Sequence, residues 1–143
     1  MATAQEQASR FQQALDARGV KYDKIDDYDR PLFKINFGGG EFNFSHVTVN
    51  VLFDNDGESA QFITGTIVSI PQNKTAESLI ACNNANRDYR WIKLYIDNDN
   101  DLIGQCDAVI DEVTCGDECL ELTYRMVSII DDVYGNFMKA IWS

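Results

Sequence analysis

The sequence predicts an α+β domain: an antiparallel sheet with helices packed against it, in the order α-β-β-β-α-β-β-α. Three observations carry that prediction. A capped amphipathic segment opens the chain, Val- and aromatic-rich stretches fold around acidic hairpin turns, and a long apolar helix closes it. Hairpins make the local connections, so no parallel crossover is required.

The first helix is expected from Ala4 to Arg18. Thr3 and Glu6 form a T-x-x-E capping box. Ala4, Ala8, Phe11 and Leu15 fall on one stripe at three- and four-residue spacing. Gly19 stands where a left-handed C-cap is needed. Three or four strands follow. Val20 to Ile25 and Leu32 to Phe37 flank the acidic turn Asp26 to Pro31, and Gly38 to Gly40 make a flexible link. Phe42 to Phe53 and Ala60 to Ile70 pair around Asp54-Asn55-Asp56-Gly57, residues that tolerate the positive φ of a tight turn.

A second helix is expected from Lys74 to Tyr89, with Leu79, Cys82, Ala85 and Tyr89 as its apolar stripe. Trp91 to Ile96 and Leu102 to Ile110 form a last hairpin around Asp97 to Asp101. Thr114 and Asp117 are read as a capping pair for a helix from Cys115 to Ile141. Its polar residues, Glu118, Glu121, Arg125, Ser128, Asp132, Asn136 and Lys139, make one narrow stripe, and nearly everything else is apolar. A helix on one sheet face needs only about a 100° apolar stripe. This one is wider and must touch a second surface: another helix of the same chain, or a dimer partner.

The chain has 143 residues, the size of a single domain, and its 12 Lys and Arg against 23 Asp and Glu give a net charge of −11. Such a field repels phosphate backbones and anionic headgroups, so neither nucleic acid nor a membrane is expected as a partner. It favours basic partners, and it also keeps a small protein in solution. Met1 to Arg18 carry no apolar signal segment and no stretch is long and apolar enough to span a bilayer, so a cytoplasmic location is expected. The four cysteines, Cys82, Cys106, Cys115 and Cys119, are then expected to stay reduced.

From Lys74 onward the arrangement resembles the YbjN family, whose fold resembles the type III secretion chaperones. The segment Leu79-Ile80-Ala81-Cys82-Asn83-Asn84-Ala85-Asn86 is similar to the family's Leu- and Asn-containing helix, with Asn83 and Asn86 at the matching positions. Lys93-Leu94-Tyr95-Ile96-Asp97 and Leu102-Ile103 around an acidic turn also fit, as does the last helix with Leu122, Val133 and Phe137. The N-terminal helix and first strands match in order. The resemblance implies a fold that often dimerises, no catalytic residues, and a regulatory or chaperone-like role. Secretion chaperones of similar fold are small, acidic dimers that hold unfolded segments of effector proteins.

Several residues stand out as candidate sites. Asn83, Asn84 and Asn86 are poor helix formers crowded into one turn, which points either to function or to side-chain bonds that fasten the helix to a neighbouring strand or loop. In the strand Trp91 to Ile96, the trio Ile92, Leu94 and Ile96 alternates with Trp91, Lys93 and Tyr95. If the trio faces the helices, Trp91 and Tyr95 lie on the other sheet face, where Ile63 and Ile67 join them in one period-two register. Aromatic residues beside acidic turns suit a polypeptide partner, a dimer contact or a covering loop.

Asp97 to Asp101 alternates carboxylates like a calcium loop, but Leu102 and Ala108 replace its Gly and Glu, and a hairpin turn is the better reading. Cys115 and Cys119 share one helix face, and a helix N-terminus lowers a thiol pKa. No C-x-x-C knuckle accompanies them, and the single histidine, His46, lies out of phase with Val47, Val49 and Val51. No cofactor fingerprint is present, and Gly38 to Gly40 lack the Lys-Ser/Thr of a phosphate loop.

These readings converge on a noncatalytic binding module, a homodimer that engages a basic or unfolded polypeptide through a sheet face or edge. A secretion-type chaperone for an effector segment is one alternative. A redox or metal sensor built on Cys106, Cys115 and Cys119 is another. An enzyme ranks third, for want of a nucleophile elbow, ligand cluster or cofactor motif.

Overall fold

In the computed structural model, which describes residues 2–143, local signals set the first element. The Thr3 hydroxyl accepts the Glu6 N–H at 3.1 Å, and the Glu6 carboxylate accepts the Thr3 N–H at 3.2 Å. This reciprocal cap starts helix α1, Ala4–Ala17, which ends before Gly19 at φ +66°. Ala4, Ala8, Phe11 and Leu15 are buried as the stripe predicts. Phe11 meets Phe33 edge-on at 5.2 Å and Phe53 at 5.7 Å, so the helix lies on the sheet through an aromatic cluster. Gln7 is also buried. Its amide donates to the Gly57 and Asp111 carbonyls at 3.1 and 3.2 Å, joining α1 to two distant turns.

Seven antiparallel strands form one open sheet: β1 (Asp23–Ile25), β2 (Leu32–Gly38), β3 (His46–Phe53), β4 (Ser59–Thr64), β5 (Val68–Ser69), β6 (Lys93–Ile96) and β7 (Asp101–Val109). The α+β class and its element order hold, with five strands before the second helix. The turn between β3 and β4 requires a glycine at position 57. Its φ is +73°, and a Cβ there would stand 2.1 Å from the Ala2 carbonyl oxygen.

The expected strand from Ala60 to Ile70 is instead broken. Ile63 lies opposite Gln105 and Val68 opposite Leu102, so the register slips by two residues at Gly65-Thr66-Ile67. Leu102 faces both Val68 and Ile96, which puts β5 and β6 on opposite edges of β7. The sheet thus ends in β1 on one side and β6 on the other. Phe42 to Ser45 do not extend β3 as expected. They fold onto the last helix, with Phe42 stacked on Phe44 at 4.6 Å and the Asn43 amide donating to the Asp131 carbonyl at 3.1 Å.

A 3-10 turn, Gln72–Lys74, leads into α2, Thr75–Asp88. Here the expected stripe needs correction. α2 buries Ser78, Cys82 and Ala85, while Leu79 and Ile80 are 52% and 63% exposed. Small side chains let α2 lie close against its neighbours and turn the bulky pair outward.

The last helix, α3, spans Cys115–Trp142. Thr114 makes no side-chain cap. Asp111 takes that role: its carboxylate accepts the N–H groups of Val113 and Thr114 at 2.8 and 2.7 Å, and these bonds lower its pKa. Every member of the predicted polar stripe of α3 is exposed. The wide apolar remainder is covered within the chain, by α1, α2, β7 and the Phe42–Phe44 turn. The intramolecular answer to its width is therefore the one realised. Contact with α1 is close: a Cβ on Gly116 would sit 2.5 Å from the Arg10 carbonyl oxygen. Among the described residues, no helix is long and apolar enough to cross a membrane.

Candidate functional site

The sheet has one face under the helices and one without them. On the outer face the register aligns Lys34, Asn50, Ile63, Gln105 and Lys93 in a row across β2, β3, β4, β7 and β6. Hydrogen bonds tie this row together. Lys34 donates to the Asn50 carboxamide and Asn50 to the Ile63 carbonyl, both at 3.2 Å. The Tyr95 hydroxyl donates to Gln105 at 3.2 Å, and the Lys93 ammonium lies 5.5 Å from the Tyr95 ring centre. Tyr95 and Ile63 share this face as predicted, both half-buried. They sit in a polar lattice rather than an apolar patch.

Ile67 and Trp91 do not join them. The two-residue slip after β4 breaks the period-two register, and Ile67 is buried in the main core cluster. Trp91 lies outside β6, at φ +71°. Tyr89 ends α2 in an extended conformation, and the chain must turn into β6 within a few residues. Trp91 takes a left-handed backbone in that turn, which costs an L-residue about 1–2 kcal/mol.

Its indole is 48% exposed. The Arg125 guanidinium of α3 lies 5.5 Å from the ring centre. Such a contact contributes about 0.5–1 kcal/mol at an exposed site, less than the backbone conformation costs. Strain that persists uncompensated by its own contact marks a place worth testing for function. A cavity of about 290 Å³ opens beside Trp91, lined by Asp88, Tyr89, Arg90, Arg125, Ser128 and Ile129. Arg125 and Ser128 also line a shallow groove of about 670 Å³ that continues along α3 past Tyr124, Glu121 and Glu118 to Arg18.

The charges here are partly matched. Arg87 pairs with Asp88 at 2.9 Å, which lowers the Asp88 pKa and raises that of Arg87. Arg125 pairs with Glu121 one helical turn away at 3.2 Å. Arg90 is exposed and makes no ion pair among the described residues. Strand alternation predicts Trp91 on the outer sheet face, whereas it lies against α3, and no local pattern marks Arg90, Tyr124 or Arg125 as lining this surface. Their meeting depends on α2 and α3 packing side by side, which no local pattern encodes.

The three asparagines of α2 separate by role. Asn86 donates to the Leu94 carbonyl at 3.0 Å and accepts the Leu94 N–H at 2.8 Å, fastening α2 to β6. Asn83 and Asn84 are exposed.

The thiols are mostly buried. Cys82 is pushed up to about 11 by burial. Cys119 is raised by its hydrogen bond with Cys115 and by burial, and Cys106 by burial and the Asp107 charge. The Cys115 thiol donates to the Gln7 carbonyl at 3.8 Å. Among the described residues, the metal-ligand types that converge in a group of three or more are Asp97, Asp99 and Asp101, with oxygens within 4.8 Å of one another. Those carboxylates serve the turn: Asp97 accepts the Asp99 and Asp101 N–H groups at 3.0 and 2.9 Å, and Asp101 accepts the Thr66 hydroxyl at 3.2 Å. Asn100 at φ +65° completes the hairpin. His46 is exposed at the start of β3.

Residues 7–134 match the YbjN family model, described as a putative bacterial sensory transduction regulator. The match includes the N-terminal half, where the sequence agreed in order of elements. No curated protein matches the chain.

Proposed function

The chain belongs to the YbjN family, and on that premise we propose that it is a noncatalytic regulatory module that binds a polypeptide along the α3 groove ending at Trp91. The observation that carries this reading is Trp91 itself. A half-exposed indole is held in a strained backbone turn, under a guanidinium, at the mouth of a continuous groove. Aromatic and arginine anchors dominate polypeptide recognition because they bring large contact area at low entropic cost. The hydrogen-bonded outer sheet face offers less, since a partner there would have to displace bonds already made.

The wide face of α3, which was the reason to expect a homodimer, is covered inside the chain. A second reading, self-association, draws its support instead from Leu79 and Ile80, exposed together on the outer side of α2. Sedimentation of the chain and of Ile80→Glu checks it: an assembly unaffected by that change removes the support. The Cys115 thiol pKa is lowered by its hydrogen bond with Cys119, but Cys82, Cys115 and Cys119 are all buried, which gives little support to a redox or metal sensor.

Site-specific photo-crosslinking tests the main reading. p-Benzoylphenylalanine replaces Tyr124 in the groove or, as a control, Tyr28, which is exposed in the loop between β1 and β2. The expected result in the native host is a discrete polypeptide adduct from position 124 and none from position 28. No adduct at 124, or the same adducts from both positions, overturns the reading.

A further inference from the structure

The geometry points to a carboxylate side chain of the bound polypeptide as the group that docks beside Trp91, and this inference rests on the polypeptide-binding reading above. It runs against the net charge. With 23 acidic and 12 basic residues, the chain favours basic partners at long range. At physiological ionic strength, however, the field of remote carboxylates decays over about 8 Å. The groups lining the corner then govern the contact.

Those groups leave a positive balance. Asp88 faces the cavity, but Arg87 grips it through two nitrogens at 2.9 and 3.3 Å. Glu121 takes one nitrogen of Arg125, which leaves the remaining N–H groups of that guanidinium near the indole. Arg90 lines the cavity with no acid paired to it among the described residues. A guanidinium presents a planar fork that matches a carboxylate in two parallel hydrogen bonds. The Trp91 ring supplies a flat wall for the aliphatic stem of a Glu, or for an apolar neighbour in the partner's sequence. A lysine in the same place would meet Arg90 and Arg125 at close range.

The test uses the full chain and three capped dipeptides, N-acetyl-Leu-Glu-amide, N-acetyl-Leu-Gln-amide and N-acetyl-Leu-Lys-amide. The readout is the indole N–H resonance of Trp91, with Trp142, the other tryptophan, as internal reference. The Glu peptide is expected to shift Trp91 and not Trp142, with an affinity about threefold above the Gln peptide, the size of one exposed charge pair. Added salt should erase that difference, and Arg90→Glu should reverse the order of the Glu and Lys peptides. Equal shifts by all three peptides, or a stronger response to Lys, overturns the inference. A shift reproduced by acetate alone at the same concentration also overturns it, because the corner would then take a free carboxylate. If Tyr124-position crosslinking succeeds and the carboxylate preference is missing, this inference fails and the polypeptide reading stands. If crosslinking fails, the reading beneath it falls.

Discussion

The carboxamide of Asn86 meets Leu94 twice, taking its N–H at 2.8 Å and giving a proton to its carbonyl at 3.0 Å. It does for β6 what a neighbouring strand would do. β6 pairs with β7 on one side, and an edge strand with bare main-chain groups is a template for unwanted pairing. Asn86→Ala should therefore lower the unfolding free energy by about 1–2 kcal/mol, two half-buried hydrogen bonds less a gain in helix propensity. Asn83→Ala and Asn84→Ala should raise it by a few tenths of a kcal/mol, roughly the propensity difference. Urea titration of the three variants checks this. Equal losses at all three positions would contradict the division of roles.

Trp91 gives a second prediction from its backbone. At φ +71°, glycine is the residue without a steric penalty. Trp91→Gly and Trp91→Ala both remove the indole and its contact with Arg125, so their difference isolates the backbone. Trp91→Gly should be the more stable of the two by about 1 kcal/mol, the reverse of the order in a regular helix or strand. Thermal or urea unfolding of the pair measures it. An alanine variant equal to or more stable than the glycine variant would mean the turn relaxes once the ring is gone.

The sequence legible from local signals and the sequence legible only through packing divide cleanly along these elements. Thr3, Glu6 and Gly19 act within one turn of their own positions, and α1 begins and ends where they place it. The polar stripe of α3 repeats at three- and four-residue spacing from Glu118 to Lys139, and the helix it marks runs for 28 residues. The two-residue slip at Gly65-Thr66-Ile67 has no such signature, because it answers to β7 some forty residues later. Gln7 lies outside the apolar stripe of α1, yet its amide bonds a carbonyl 104 residues away. Trp91 and Arg125 share the same difficulty: period two was the right rule for β6, but Trp91 lies before the strand begins. Candidate sites built on a register fail where the register ends.

Close approach of α1 and α3 is set by Gly116. A Cβ there would meet the Arg10 carbonyl oxygen at 2.5 Å and the Ala14 Cβ at 3.3 Å. The first of these is backbone in the middle of a helix and cannot swing aside. Gly116→Ala should thus force the helices apart and destabilise the fold by about 1–3 kcal/mol, although alanine is the better helix former. Gly135→Ala is the control, since nothing stands within 4 Å of a Cβ at that exposed position of the same helix. It should stabilise by about 0.5–1 kcal/mol. Opposite signs for two identical changes in one helix are the outcome that unfolding measurements should return.

Burial of Cys82 makes stability depend on pH at the alkaline end. Its thiol ionises near 9 when exposed and at about 11 in the fold, because burial disfavours the thiolate. A folded pKa above the unfolded one means that the stabilisation is fully present below about pH 9. It is lost as pH rises from there toward 11, since the unfolded chain ionises first. The loss is on the order of 2 kcal/mol for this group. Tyrosines and lysines titrate in the same range, so the informative quantity is the difference between the chain and Cys82→Ala measured at each pH. That difference should shrink from pH 8.5 upward. A difference that stays constant would place the Cys82 thiol in contact with water. The same burial predicts slow modification of Cys82, Cys115 and Cys119 by a thiol reagent at pH 8, with half-buried Cys106 reacting ahead of them. Fast labelling of Cys115 or Cys119 in the folded chain would restore the sensor hypothesis that their burial argues against.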